Sequence, residues 1–267
     1  MSDAVQEHYT RGDLLETVLR ALTEAGLDVE KLDPSSLAPA EEFHMLGRAA
    51  TVALAERAMI TELDRVLDVG AGIGGPARYL ASNIGCEVVG LDLTQELCDV
   101  AVDLTRRVHL DDLVSVRQGD ALDLPFEDDE FDVIWTQHVS MNIEDKPRFF
   151  AEMRRVVITG GRLAFFDLLA GPNQPIHFPV PWADDQSVSF LATPEETRQL
   201  LQDAGFEVRS WEDLTHEGVG FLRQLTGPPS VLGPHLLVPD MPTRAANLRR
   251  NIDESRLLLV RGVADAV

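Results

Sequence analysis

The chain has 267 residues, 45% hydrophobic and 25% charged, with a formal net charge of −22, which suits one sizeable domain with additions or two small ones. That charge argues against a nucleic-acid partner, which needs a basic surface, and no apolar run approaches the ~20 residues of a membrane span. The acidic start Met1-Ser2-Asp3-Ala4-Val5-Gln6-Glu7 is unlike a secretory signal, and two cysteines, Cys86 and Cys98, make no disulfide framework or zinc site, so a cytoplasmic enzyme is expected.

Residues 13–26 repeat apolar positions at helical spacing and stop at Gly26. A loop around Asp33-Pro34-Ser35-Ser36 and Ala38-Pro39 follows, then a second helix from about Gly47 to Met59. Beyond it the pattern predicts a strand at Val66–Val69, a helix at Pro76–Ile84 and a strand at Glu87–Leu91 ending at Asp92. A helix at Gln95–Val108 and strands at Val114–Gln118 and Phe131–Thr136 come next, then a helix at Asp145–Val157 and a strand at Arg162–Leu168. A Pro-rich stretch (Pro172, Pro175, Pro179, Pro181) leads to a helix at Pro194–Gly205 capped by Thr193, and a strand at Phe206–Trp211. Residues 214–252 read as helical but broken at Gly227-Pro228-Pro229, Gly233-Pro234 and Pro239–Pro242, before a last strand at Arg256–Val260. Strands alternating with helices predict a parallel sheet covered on both faces, with ligands at its carboxyl edge.

The run Val66-Leu67-Asp68-Val69-Gly70-Ala71-Gly72-Ile73-Gly74-Gly75-Pro76 stands at the first such edge. Gly70, Gly72 and Gly75 fit a dinucleotide-binding pattern, and Asp92 lies about 20 residues on, where a carboxylate accepts hydrogen bonds from ribose hydroxyls. The plainer role for Asp92 is a helix cap shared with Thr94. Asp68 is the discordant residue, because a dinucleotide-binding strand keeps apolar side chains there. No Gly-x-Ser-x-Gly nucleophile elbow and no convincing metal-ligand spacing is present.

Four further motifs follow in order: Leu91-Asp92-Leu93, Gly119-Asp120-Ala121 with Leu124-Pro125-Phe126, Phe131-Asp132, and Arg155-Val156-Val157 with Gly160-Gly161-Arg162-Leu163. With Val66–Gly74 they resemble the class I S-adenosylmethionine-dependent methyltransferases, closely over residues 60–170 and more loosely at 194–211. Gly72–Leu80, Trp135-Thr136-Gln137-His138 and Phe43-His44-Met45-Leu46-Gly47-Arg48 are similar to the sarcosine/dimethylglycine branch, near the quinone-biosynthesis methyltransferases.

The resemblance implies a doubly wound, mostly parallel Rossmann-like α/β sheet of about seven strands. An N-terminal helical lid (1–59) would precede a core (60–267) carrying a helical insertion at about 214–252. It implies Gly70, Ala71 and Gly72 beneath the methionine portion of the cofactor and Asp68 near its ammonium. Asp92 would sit at the ribose, with Leu93 a further cofactor contact, Asp120 with Ala121 and Leu122 at the adenine, and Gln137 near the sulfonium. For Asp120 a turn carboxylate is the plainer role. His138 is the candidate general base, with a structural histidine bonded near Asn142 as the alternative. Tyr9 and His44 from the lid, and Trp182 as an aromatic face for a cationic amine, are candidate acceptor contacts, each with packing as the plainer role.

The expected reaction is in-line methyl transfer to a small molecule, first an amine nitrogen and otherwise a carbon or oxygen of a quinol or secondary metabolite. The high acidity chiefly serves solubility and weakly favours a cationic acceptor. An NAD-dependent oxidoreductase rests on the glycines and Asp92 alone, and a non-catalytic binding module is the third reading. The late insertion would shape an apolar pocket or a dimer surface, leaving a homodimer open.

Overall fold

The computed structural model describes residues 2–224 and 230–267. The N-terminal part holds α1 (Ser2–Tyr9), α2 (Leu14–Glu24), α3 (Ala38–Glu41) and α4 (Arg48–Ala58). α1 was not anticipated, and part of the predicted 33–39 loop is helical. Asp33 starts a short turn at Pro34–Leu37 by accepting from the Ser35 backbone N–H at 2.8 Å.

The sheet strands are β1 (Arg65–Val69), β2 (Glu87–Asp92), β3 (Val114–Gln118), β4 (Phe131–Gln137), β5 (Val157–Ala170), β6 (Phe206–Asp213) and β7 (Leu257–Ala266). Between them run α5 (Gly75–Ile84), α6 (Gln95–Arg107), α7 (Lys146–Val156), α8 (Pro194–Asp203), α9 (Thr215–Gln224) and α10 (Met241–Asp253). The seven strands are ordered β3-β2-β1-β4-β5-β7-β6. Pairings among β1 to β5 are parallel, while β7 runs antiparallel to both β5 and β6. β5 and β7 outrun their predicted lengths because each supplies the other's ladder from the Arg162–Asp265 pair to the Ala170–Leu257 pair. That long-range pairing leaves no local signal at the strand ends. Thr193 caps α8 with the reciprocal Glu196 bond of a capping box.

Alternate side chains along β1 serve opposite faces. Val66 packs with Leu54, Trp135 and Phe166 on one face, and Leu67 and Val69 with Ile134 and Phe149 on the other. α4, grouped by sequence with the lid, contributes Ala50, Leu54, Ala55 and Ala58 to the first of these layers and so packs on the sheet. A third cluster joins Leu14, Val18 and Leu22 of α2 to Ile73 after β1, Leu97 and Leu104 of α6, and Leu236, Leu237 and Val238 of the insertion. Two segments far apart in sequence thus meet beside the glycine turn. The predicted break at Gly227-Pro228-Pro229 lies outside the described residues.

The strand order reverses between β1 and β4, which opens a crevice at their carboxyl ends.

Candidate active site

β1 leaves the sheet through Gly70, Gly72 and Gly74, all with positive φ (+77°, +54° and +84°). A Cβ on Gly70 would stand 2.2 Å from Val139 Cγ2, whereas one on Gly72 would meet only open space. The Gly70 and Ala71 backbone N–H groups donate to Leu91 O at 2.8 and 3.1 Å, and the Gly72 N–H donates to Asp92 Oδ2 at 2.8 Å. These bonds hold the turn against the end of β2. The cleft beneath has a volume of about 1060 Å³, open mouth included.

Nearly all of the anticipated cofactor residues line this cleft: Asp68, Gly70, Ala71, Gly72, Asp92, Leu93, Asp120, Ala121 and Gln137. Leu122 does not. It packs with Phe126 against the second core layer, and its backbone N–H donates to Asp120 Oδ1 at 2.9 Å. Asp120 therefore faces the cleft and also closes a turn. Asp92 likewise combines two roles, since its Oδ1 accepts from the Thr94 backbone N–H at 2.9 Å beside the start of α6.

Asp68 is only 2% exposed, and its Oδ2 has no hydrogen-bond partner. Burial, reinforced by the negative charges of Asp92 and Glu42, pushes its carboxyl up to about 8. Burial raises Asp92 as well, opposed by the N–H groups of Thr94 and Gly72. Two adjacent buried carboxylates without a counter-ion suit a cationic ligand group. In their ionised form they would repel a pyrophosphate, which weakens the NAD alternative. Gln137 accepts from Trp135 Nε1 at 3.0 Å through its Oε1, leaving its buried Nε2 without a partner.

A second cavity of about 630 Å³ adjoins the first, and Tyr9, Phe43, His44 and His138 line both. His138 has φ +56°. Its backbone N–H donates to Phe166 O at 2.7 Å, and its ring Nδ1 lies 3.2 Å from the same oxygen, which fixes Nδ1 as the protonated nitrogen. The Nε2 lone pair meets the Met45 backbone N–H at 3.4 Å. Burial and the neighbouring His44 push the imidazole down to about 3. A ring held neutral this firmly is a feeble general base, so the expected base role gives way to that of a neutral hydrogen-bond acceptor. The alternative partner near Asn142 is also replaced: His138 is tied to β5.

His44 Nε2 lies 2.6 Å from Glu42 Oε2, and Nδ1 lies 3.2 Å from Met45 O. Both ring nitrogens are engaged, so His44 has no ready lone pair for an acceptor proton. Although burial alone would raise Glu42, His44 and Arg48 hold it below the usual carboxylate range. Tyr9 donates to Asn142 Oδ1 at 3.4 Å, and burial raises its phenol. Trp182 is 1% exposed, donates its indole N–H to Ser189 Oγ at 3.0 Å and lines the second cavity.

Sequence reading missed Glu41 and Arg78. Both are wholly buried, with Arg78 Nη2 2.5 Å from Glu41 Oε2. Arg78 also donates to Ile73 O at 2.6 Å, and Arg48 donates to Glu41 Oε1 at 2.7 Å. The pair joins α3 to the glycine turn. A Cβ on Gly75 would come within 2.8 Å of Glu41 Cγ, so that glycine serves the close approach of this strut. Only the close spacing of charge within Glu41–Arg48 hinted at it.

A methyltransferase-domain family model matches residues 67–165. Over 152 residues the chain is 35% identical to a sarcosine/dimethylglycine N-methyltransferase of Halorhodospira halochloris, covering 57% of this chain and 54% of that protein. It is 30% identical over 160 residues to the 27-O-demethylrifamycin SV methyltransferase of Amycolatopsis mediterranei, covering 57% of each. The match thus spans about half the length of these relatives. In fold it is similar to a geranyl diphosphate C-methyltransferase of Streptomyces coelicolor A3(2), with TM-score 0.69, 20% identity, and coverage of 83% of this chain and 78% of that one. The glycine turn, the carboxylates at the β1 and β2 ends and the sheet order agree with this match, and over residues 67–165 the chain resembles the class I S-adenosylmethionine-dependent methyltransferases.

Proposed function

We propose that this chain transfers a methyl group from S-adenosylmethionine to a small-molecule acceptor. The observation that carries the reading is the unpartnered carboxylate oxygen of Asp68 inside the glycine-turn cleft. A buried oxygen of that kind calls for a partner, and a primary ammonium supplies the missing donor while neutralising the charge of the ionised carboxylate. Gly72, with open space where a side chain would stand, lets a ligand approach the backbone. Asp92 and Asp120 are the remaining acceptors, suited to ribose hydroxyls and an adenine amino group, and Gln137 offers a free donor. When bound, S-adenosylmethionine supplies a methyl group on a positively charged sulfur, open to in-line displacement by a nucleophile.

The chain's own contribution is to orient the two reactants and keep water out. Tyr9, Phe43, His44 and His138 form the boundary between the cavities, where an acceptor would meet the methyl group. Helices α1 to α3 act in this reading as the lid over the cofactor. The family relationship and the N-methyltransferase relative support an amine nitrogen as acceptor atom. The apolar second cavity, and the O-methyl chemistry named for the rifamycin relative, favour oxygen or carbon as a second reading. The free, buried cysteines Cys86 and Cys98 fit a reducing, cytoplasmic setting, and the net charge supports the absence of a nucleic-acid partner. No described helix is long and apolar enough to cross a membrane.

Calorimetric titration with S-adenosylhomocysteine and with NAD tests the assignment. Saturable binding of the former is expected. Tight NAD binding without a response to S-adenosylhomocysteine would reverse it.

A further inference from the structure

We infer that the acceptor is a bulky, largely apolar molecule without a carboxylate, whose one polar end meets His138 at the boundary of the two cavities. This rests on the methyl-transfer reading and narrows it to a substrate class. The second cavity, about 630 Å³ with its open mouth included, lies directly beside the cofactor cleft and shares Tyr9, Phe43, His44 and His138 with it. Its walls come from the α3–α4 connection (Met45), the β4–α7 connection (Met141), β5 (Leu168), the Pro-rich segment (Trp182), α9 (Phe221) and α10 (Leu248). Among the described residues that line it there is no Lys, Arg, Asp or Glu.

The cations around this region are already committed. Arg244, buried on α10, donates to Val180 O at 2.7 Å and Pro239 O at 2.9 Å and pairs with Asp184. Lys146 donates to Ser140 O at 2.6 Å and Ile143 O at 2.8 Å. Arg48 is held by Glu41 and Glu42, and His44, which lines the cavity, is taken by Glu42 at 2.6 Å. A carboxylate placed here would lose its water and find no counter-ion, which is strongly unfavourable. An amino acid such as sarcosine therefore fits poorly, whereas a ring system or branched chain replaces water from apolar walls favourably.

The polar end is placed by His138. Its Nδ1–H is spent on Phe166 O, and its Nε2 lone pair has only the long 3.4 Å contact from Met45 N–H. An acceptor hydroxyl or N–H can therefore donate to Nε2 and be aimed toward the cofactor cleft. His138 acts here as a positioning residue.

The test is calorimetric titration of the full chain saturated with S-adenosylhomocysteine, using a naphthol, sarcosine and dimethylglycine as probes. The naphthol is expected to bind saturably and the two amino acids not to bind. Ala245→Phe, which fills the cavity from α10, is expected to weaken naphthol about tenfold or more with S-adenosylhomocysteine affinity retained, and that retention also reports folding. Sarcosine binding more tightly than the naphthol, or naphthol binding indifferent to Ala245→Phe, overturns the acceptor class alone. Failure of S-adenosylhomocysteine to bind overturns the cofactor reading and this inference with it.

Discussion

Single residues carry the sharpest expectations. Asp68 keeps its proton well above the ordinary carboxylate range, to about 8. Its carboxyl is protonated more in the folded than the unfolded chain, so its contribution to stability falls as pH rises from the ordinary carboxylate range towards that value. Binding of a cationic cofactor requires the ionised form, so affinity should instead rise over the same window with release of a proton. Titrations in buffers of differing ionisation enthalpy will read that proton, and Asp68→Asn should abolish its release. Asp92→Ala should weaken cofactor binding by roughly 1.5–3 kcal/mol, the range for hydrogen bonds to a charged group; calorimetry would register normal affinity if the ribose is held elsewhere. His138→Ala should lower turnover while leaving the shape of the pH–rate profile unchanged, because an imidazole at about 3 has no titration near neutrality. Loss of a limb near neutral pH in that variant would restore it as a base.

Among elements, the decisive joint is between α3 and the β1–α5 turn. Glu41 and Arg78 are both fully buried, and removing one partner strands the other's charge. Glu41→Ala should destabilise the fold by about 3–5 kcal/mol in urea unfolding. Replacing both, as Glu41→Leu with Arg78→Met, should recover much of that loss, since the desolvation penalty disappears with the pair. If the single and double variants unfold alike, the pair is no strut. The residues of this joint were individually visible, but only as unremarkable charges. Their partnership depends on a fold-back of chain from residue 41 to residue 78, for which helical or strand periodicity has no signal. β7 is a similar case: a strand was legible at Arg256–Val260, but its antiparallel insertion between β5 and β6 depends on the path of the insertion.

At the scale of the whole molecule, α1 ties together parts of the site that the core alone leaves apart. Gln6 Nε2 donates to Leu93 O at 2.9 Å at the cofactor edge, His8 Nε2 lies 3.1 Å from Pro181 O, and Tyr9 reaches Asn142. Glu96 at the start of α6 receives the backbone N–H groups of Gly12 and Leu14, both at 2.9 Å. Val5 and Tyr9 of α1 line the cleft, so a bound ligand should steady this clasp. Hydrogen exchange of the amides in residues 5–14 should slow on adding S-adenosylhomocysteine, more than in β4 or β5, whose ladders are already closed. Equal slowing throughout the chain would mean that α1 reports global stability rather than a lid.

The amino-acid sequence by itself determined the alternating core, the glycine turn and the carboxylates at the ends of β1 and β2. Those features are local: periodicity, a forced positive φ and a polar residue at a strand end each act over a few positions. The proposed cofactor class came from the family resemblance that Asp68 carries together with Gly119-Asp120-Ala121 and Trp135-Thr136-Gln137-His138. Only the tertiary structure decided that Leu122 turns into the core, that His138 is a neutral ring tied to β5, and that Glu41 and Arg78 lock the lid to the turn. It alone assembled the apolar second cavity from six distant segments. Burial and pairing across the chain set those properties, and both arise only when the sheet, the lid and the insertion have closed on one another.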